Sequence, residues 1–134
     1  MADVDSSTVL VTGAAGFIGS YVARALLGRG SRVIGVDNLN DYYPVSLKRA
    51  RLQRLSGEKN FAFHECDIAD YDALRALPGV DDAGCIIHLA AQAGVRYSLE
   101  NPFAYARSNL LGHLSILELA RHSKKRPHLV YASS

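Results

Sequence analysis

Two hydrophobic patterns alternate along this chain. Short continuously apolar runs are separated by longer stretches in which apolar residues recur every three or four positions. The short runs are Val9-Leu10-Val11, Val33-Ile34-Gly35-Val36, Phe61-Ala62-Phe63-His64, Cys85-Ile86-Ile87-His88-Leu89 and Leu129-Val130-Tyr131. Runs of this kind, rich in β-branched residues, predict strands covered on both faces. The longer stretches predict helices. The first starts near Phe17, puts Ile18, Val22, Ala25 and Leu26 on one apolar face, and ends at Gly28 and Gly30. The second begins with Pro44 as a first helical residue and runs through Leu47, Ala50, Leu52 and Leu55 to Gly57. A short third covers Asp70 to Leu77, stopped by Pro78-Gly79, and a long fourth runs from about Tyr105 to Ser123.

Strictly alternating strands and helices build a parallel sheet with helices on both faces. The 134 residues form one domain with no internal boundary. The fifth strand is then a terminal edge, apolar and unpaired on one side, and natural sheets rarely leave such an edge bare. The expectation is a sheet truncated after its fifth strand, whose chain continues in its native setting or pairs with something. The last helix adds to this: Leu110, Leu111, Leu114, Ile116, Leu117 and Leu119 exceed what one stripe on a sheet needs.

Composition narrows the class. Fifteen basic and thirteen acidic residues leave a net charge of +2, which gives no electrostatic footprint for nucleic acid. The cluster Arg121 to Arg126 reads as compensation of a helix C-terminus. Cys66 and Cys85 match no metal spacing and read as reduced cytoplasmic thiols. No apolar run approaches a membrane span, and Met1 to Ser7 leaves no room for a targeting segment.

The chemistry concentrates in Thr8–Gly19, TVLVTGAAGFIG. A strand delivers the backbone to a bend, Gly13, Gly16 and Gly19 admit close approach, and the helix from Phe17 aims free amides and its positive dipole end outward. This is a phosphate-binding turn. Together with the strand–helix alternation it predicts a Rossmann-like doubly wound parallel sheet, order 3-2-1-4-5. Asp37, 18 residues after Gly19 at the tip of the second strand, is placed to accept adenosine ribose hydroxyls and to repel a 2′-phosphate, which favours NAD over NADP. The alternative for Asp37 is a turn or cap aspartate. Asp67-Ile68 follows the third strand, beside the adenine in a fold wound this way, or caps the helix at Asp70. Leu89-Ala90-Ala91 follows the fourth strand, where small residues let a cofactor cross the sheet. Gln92, Arg96 and Ser98 lie in a donor-rich loop that faces an anionic or hydroxylated substrate, or in an ordinary surface loop. Asn109, among apolar residues, is expected to be buried and to bond the backbone near that loop. His88, His64 and His113 read as strand filler, core or surface.

These motifs together name a family by likeness. Thr12-Gly13-x-x-Gly16-Phe17-Ile18-Gly19, Asp37, Asp67-Ile68, His88-Leu89-Ala90-Ala91 and Tyr131-Ala132-Ser133-Ser134 resemble the extended short-chain dehydrogenase/reductases over essentially the whole chain. Asp37-Asn38-Leu39-Asn40-Asp41-Tyr42-Tyr43, the helix Ser46 to Leu52 and Ala90 to Ser98 look like the UDP-glucuronate 4-epimerase branch. The resemblance implies tightly held NAD, contacts from Phe17, Ile18, Asn38 and Asn40 to the cofactor, a UDP-sugar substrate oxidised and re-reduced at C4, and a homodimer. It also implies a catalytic hydroxyl at the end of strand five, for which Ser134 is the candidate and Ser133 or the residue that follows in the gene the alternative, and a Tyr-x-x-x-Lys helix that does not occur here. The chain reads as the NAD-binding part of such an enzyme, inactive alone. Other nucleotide-sugar epimerases, dehydratases or decarboxylases, and a non-catalytic NAD-binding module, are the alternatives.

Overall fold

The computed structural model describes residues 7–133. Its strands are β1 (Thr8–Thr12), β2 (Arg32–Asp37), β3 (Phe61–Glu65), β4 (Cys85–His88) and β5 (His128–Tyr131). They form one parallel sheet in the order β3-β2-β1-β4-β5. This is the doubly wound arrangement expected from the alternation of patterns. The reversal of winding falls between β1 and β4, so the loops after these two strands splay apart and open a crevice at their C-terminal ends.

The continuous apolar runs are explained by two cores, one on each face. In β1 the residues alternate: Leu10 joins Ile34, Val36, Ile86, Ile116 and Leu119 on one side, while Val9 and Val11 join Ala14, Ala23 and Val33 on the other. A period of two combined with burial on both faces leaves no polar position in the strand interior. Of the two threonines that bound β1, Thr8 is half-buried and Thr12 is fully buried.

Helix α1 (Phe17–Gly28) starts where expected, but its buried face differs. Gly19, Ser20 and Ala23 are buried, Val22 and Leu26 are half-buried, and Ile18 and Ala25 are exposed. Small residues win because α1 must lie close on the turn after β1. A Cβ on Gly19 would sit 2.7 Å from the carbonyl carbon of Gly13 and 3.2 Å from Cα of Ala14. Helix α2 (Val45–Gln53) has Pro44 as its N-cap instead of its first residue. Its apolar residues are largely outward: Leu47 and Ala50 are exposed, and its one buried residue is Lys48.

The expected long fourth helix is present as a continuous helical track of α5 (Pro102–Tyr105), a π-helical segment over Ala106–Leu111 and α6 (Gly112–His122), preceded by the short α4 (Tyr97–Glu100). Asn101 caps α5 by accepting from the Ala104 amide. The wide turn before Gly112 has a packing reason. A Cβ at Gly112 would lie 2.8 Å from two side-chain carbons of Ile68, so the backbone rests directly on the loop after β3. Single wide turns of this kind frequently mark functional sites. On the outer side of this track Leu110, Leu114 and Leu117 are exposed, as are Val130 and Tyr131 on edge strand β5. Among the described residues no helix is long and apolar enough to cross a membrane.

Candidate functional site: a dinucleotide cleft

The crevice at the switch point holds a cavity of about 550 Å³. Its floor is the turn after β1. Gly13 has φ +72°, a left-handed conformation natural to glycine. The amides of Gly13 and Ala14 both donate to the Val36 carbonyl, which ties the turn to β2. A Cβ on Gly13 would lie 2.9 Å from the Ala90 nitrogen, so the turn also abuts the end of β4. The N-cap of α1 is Gly16, with no side chain bonded to the helix end and no acid in the first turn. That end of the helix, with its exposed amides and positive dipole, faces the cavity without competition from its own side chains. The residues therefore fit a bound pyrophosphate.

Thr12 organises the opposite wall. Its hydroxyl oxygen accepts from the amides of Leu89 (3.0 Å) and Ala90 (3.1 Å). Its hydrogen is left for Nδ1 of His88 at 2.7 Å, which fixes His88 as the neutral tautomer protonated at Nε2. His88 is buried, and burial with the neighbouring His113 pushes its pKa down from 6.5 to about 4. His113 stacks between His88 (5.2 Å) and Tyr131 (5.0 Å). His88 is thus strand filler, with a hydrogen-bonding task that the pattern did not reveal.

Asp37 lines the cavity and is buried. One carboxylate oxygen accepts from the Ala15 amide (3.1 Å) and the other from the Leu39 amide (2.8 Å). It therefore does the work of a turn aspartate. A carboxylate has roughly four acceptor positions, so two remain for ribose hydroxyls. Asp67 also lines the cavity, but it does not cap α3 (Tyr71–Arg75). Asp70 does that, accepting from the Ala73 amide. Asp67 accepts from the Ala69 amide and pairs with Arg107 at 2.7 Å.

Residues 10–134 match a family model described as GDP-mannose 4,6 dehydratase. The chain belongs to that family. It is 50% identical over 127 residues to UDP-glucuronate 4-epimerase 4 of Arabidopsis thaliana, an alignment covering 95% of this chain and 29% of the relative. It is 51% identical over 112 residues to UDP-glucuronate 4-epimerase of Thermodesulfobacterium geofontis, covering 84% and 35%. A solved mutant of UDP-glucuronic acid 4-epimerase from Bacillus cereus, in complex with UDP-4-deoxy-4-fluoro-glucuronic acid and NAD, matches with a TM-score of 0.82 at 33% identity, over 95% of this chain and 40% of that one. WbmF of Bordetella bronchiseptica in complex with NAD+ matches at 0.78 and 30% identity, over 96% and 36%. The chain spans about a third of the length of the curated relatives it matches.

In this member of the dehydratase family the cavity wall unites most of the residues expected from the sequence. Gly13, Gly16, Phe17, Ile18, Gly19, Asp37, Asn38, Asn40, Asp67, Ile68, Leu89, Ala90, Ala91 and Gln92 all line it. Arg96 and Ser98 do not. Arg96 is the exposed N-cap of α4, and the Ser98 hydroxyl donates back to the Val95 carbonyl. Ser134 lies outside the described residues. Asn109, in the π-helical segment, is exposed, not buried as expected. It still bonds where expected: its oxygen accepts from the Gln92 amide (2.7 Å) and its nitrogen donates to the Gln92 carbonyl (3.2 Å). Asn109→Ala should remove both bonds, destabilising by about 1 kcal/mol and lowering Tm by about 4 °C in a thermal melt.

Several wall residues were missed from the sequence. Lys48 is buried, and its ammonium donates to the backbone oxygen (2.8 Å) and side-chain oxygen (2.9 Å) of Asn40. Arg51 lies 5.9 Å over the Phe17 ring and donates to the Ala15 carbonyl. Tyr42 and Tyr43 also line the cavity. The available signal was a lysine and an arginine three apart on a helix beginning just after the Asp37 loop, a spacing that puts both on one face.

Proposed function

We propose that residues 1–134 form an NAD-binding domain of a nucleotide-sugar 4-epimerase that interconverts UDP-glucuronate and UDP-galacturonate. The observation that carries this reading is the single cavity joining an uncapped glycine turn at one end to a buried aspartate with spare acceptor positions at the other. The relatives' names supply the substrate class: UDP-glucuronate 4-epimerases from a plant and a bacterium, and a structure holding a UDP-sugar and NAD together.

On this reading the α1 amides and the three glycines hold the pyrophosphate. Asp37 takes the ribose hydroxyls and disfavours a 2′-phosphate, with Asn38 and Asn40 beside it. Asp67 and Ile68 flank the adenine, and Leu89, Ala90 and Ala91 flank the nicotinamide. NAD, when bound, supplies a hydride acceptor and donor for the sugar C4. Gln92 stands at the substrate end, where Arg96 and Ser98 belong to the adjoining surface. Ser134 is the proposed hydroxyl that holds the reacting sugar oxygen. The exposed leucines of the last helical track are proposed to pair two copies into a homodimer.

The test is an assay of the native gene product with UDP-glucuronate, followed by chromatography of the sugar nucleotides. Appearance of UDP-galacturonate is expected. Persistent inactivity with NAD bound would overturn the epimerase reading and leave an NAD-binding domain.

A further inference from the structure

Two loops meet over the cavity. One follows β2 and spans residues 38–43; the other follows β4 and spans residues 91–96. Each is anchored from below. Lys48 holds Asn40 through two hydrogen bonds, and Asn109 holds the Gln92 backbone through two more. The loops also touch each other. The Asn40 side-chain nitrogen Nδ2 donates to the Gln92 side-chain oxygen at 3.4 Å, and the Tyr42 ring packs on Tyr97 with centroids 4.9 Å apart. The Tyr43 ring meets Tyr42 edge-on at 4.9 Å.

The fit at the tip is specific to glycine. Gly94 has φ +92°, and a Cβ there would collide with the Tyr42 hydroxyl and lie 2.9 Å from its Cζ. The Tyr42 loop itself leaves β2 through Leu39, which is buried at φ +53°, a strained conformation for a leucine. Tyr42, Tyr43 and Ala93 line the same cavity as the glycine turn. The contact therefore forms part of the cleft wall, not a remote surface feature.

We propose that Tyr42 seated on the Gly94 turn is a clasp that must open for the dinucleotide to enter or leave. This rests on the dinucleotide reading of the cleft. Tyr42 acts as a gate, so it sets the rates of exchange more than the affinity. A gate slows entry and exit together, because the closed state blocks both directions. A ring that merely contacts the cofactor would change exit alone.

The experiment is stopped-flow fluorescence with NADH on the full chain, measuring association directly and dissociation by chase with excess NAD. Tyr42→Ala is expected to raise both rate constants about tenfold and to shift Kd by less than about threefold. Gly94→Ala, which unseats Tyr42, should act in the same direction. Tyr21→Ala, on the exposed side of α1 and off the cavity wall, should leave both rates unchanged. Tyr42 is partly exposed, so its truncation leaves both cores intact; thermal melts of each variant check this. Dissociation rising alone, or neither rate changing, would overturn the clasp while the dinucleotide reading stands. Failure of the wild-type chain to bind NADH would overturn the dinucleotide reading, and the clasp with it.

Discussion

Gly19→Ala should reduce NAD affinity by at least about 100-fold, roughly 2.7 kcal/mol, measured by calorimetric titration. The added methyl would collide with the Gly13 carbonyl oxygen and sit 2.7 Å from its carbon. Both are backbone atoms, so no side chain can rotate away. Relief requires α1 to move off the β1 turn. That turn is tied to β2 through two amides on the Val36 carbonyl and abuts Ala90 at the end of β4. On the proposed reading, displacing α1 therefore moves the helix amides away from the pyrophosphate. Gly19 is buried, so the same displacement also lowers stability, and a thermal melt of the variant accompanies the titration. A variant that binds NAD within threefold of wild type would show that α1 does not hold the phosphates.

The second large effect is on stability in acid. In the folded chain burial and His113 hold the His88 pKa near 4, whereas in the unfolded chain it returns to about 6.5. Between these values the unfolded chain binds the extra proton and the folded chain does not. The His88 contribution to stability is therefore constant above about pH 6.5, falls as pH drops through this window, and levels off below about pH 4. The total loss is about 3 kcal/mol. The geometry explains the direction. The Thr12 hydroxyl already accepts two amide hydrogens and donates to Nδ1, so a proton on Nδ1 would oppose a donor to a donor. Urea midpoints measured from pH 7.5 to 4 should fall steeply in wild type. In His88→Gln the curve should be flatter by that amount, which separates His88 from the acid titration of carboxylates. Parallel curves would mean that His88 is not held neutral.

Most of the fold was legible because its signals are local and redundant. Continuous apolar runs, glycine stops and the turn after Val11 each pointed to the same doubly wound sheet, and the strand order followed from winding rules. The faces of the helices were harder. Ile18 and Leu47 look like core residues by periodicity, yet they are exposed along the cleft. A ligand-lining wall follows helical periodicity as well as a core does, so the pattern cannot tell them apart.

The cleft itself was legible where one residue type is demanded by backbone geometry or charge, as at Gly13, Gly19 and Asp37. It was illegible where the role depends on a partner distant in sequence. Thr12 meets His88 across 76 positions, and Asn40 meets Gln92 across 52. Lys48 holds the Asn40 loop eight residues earlier, a contact that needs the turn after β2 to fold back on α2. Asn109 was legible in its bonds but not in its exposure.

Titration of the chain with NAD and with NADP tests the central claim most directly. One NAD per chain is expected, with NADP at least about tenfold weaker, because on the proposed reading the buried Asp37 carboxylate would repel a 2′-phosphate. Absence of NAD binding, or equal affinity for the two dinucleotides, would contradict the assignment of this cleft and of Asp37 within it.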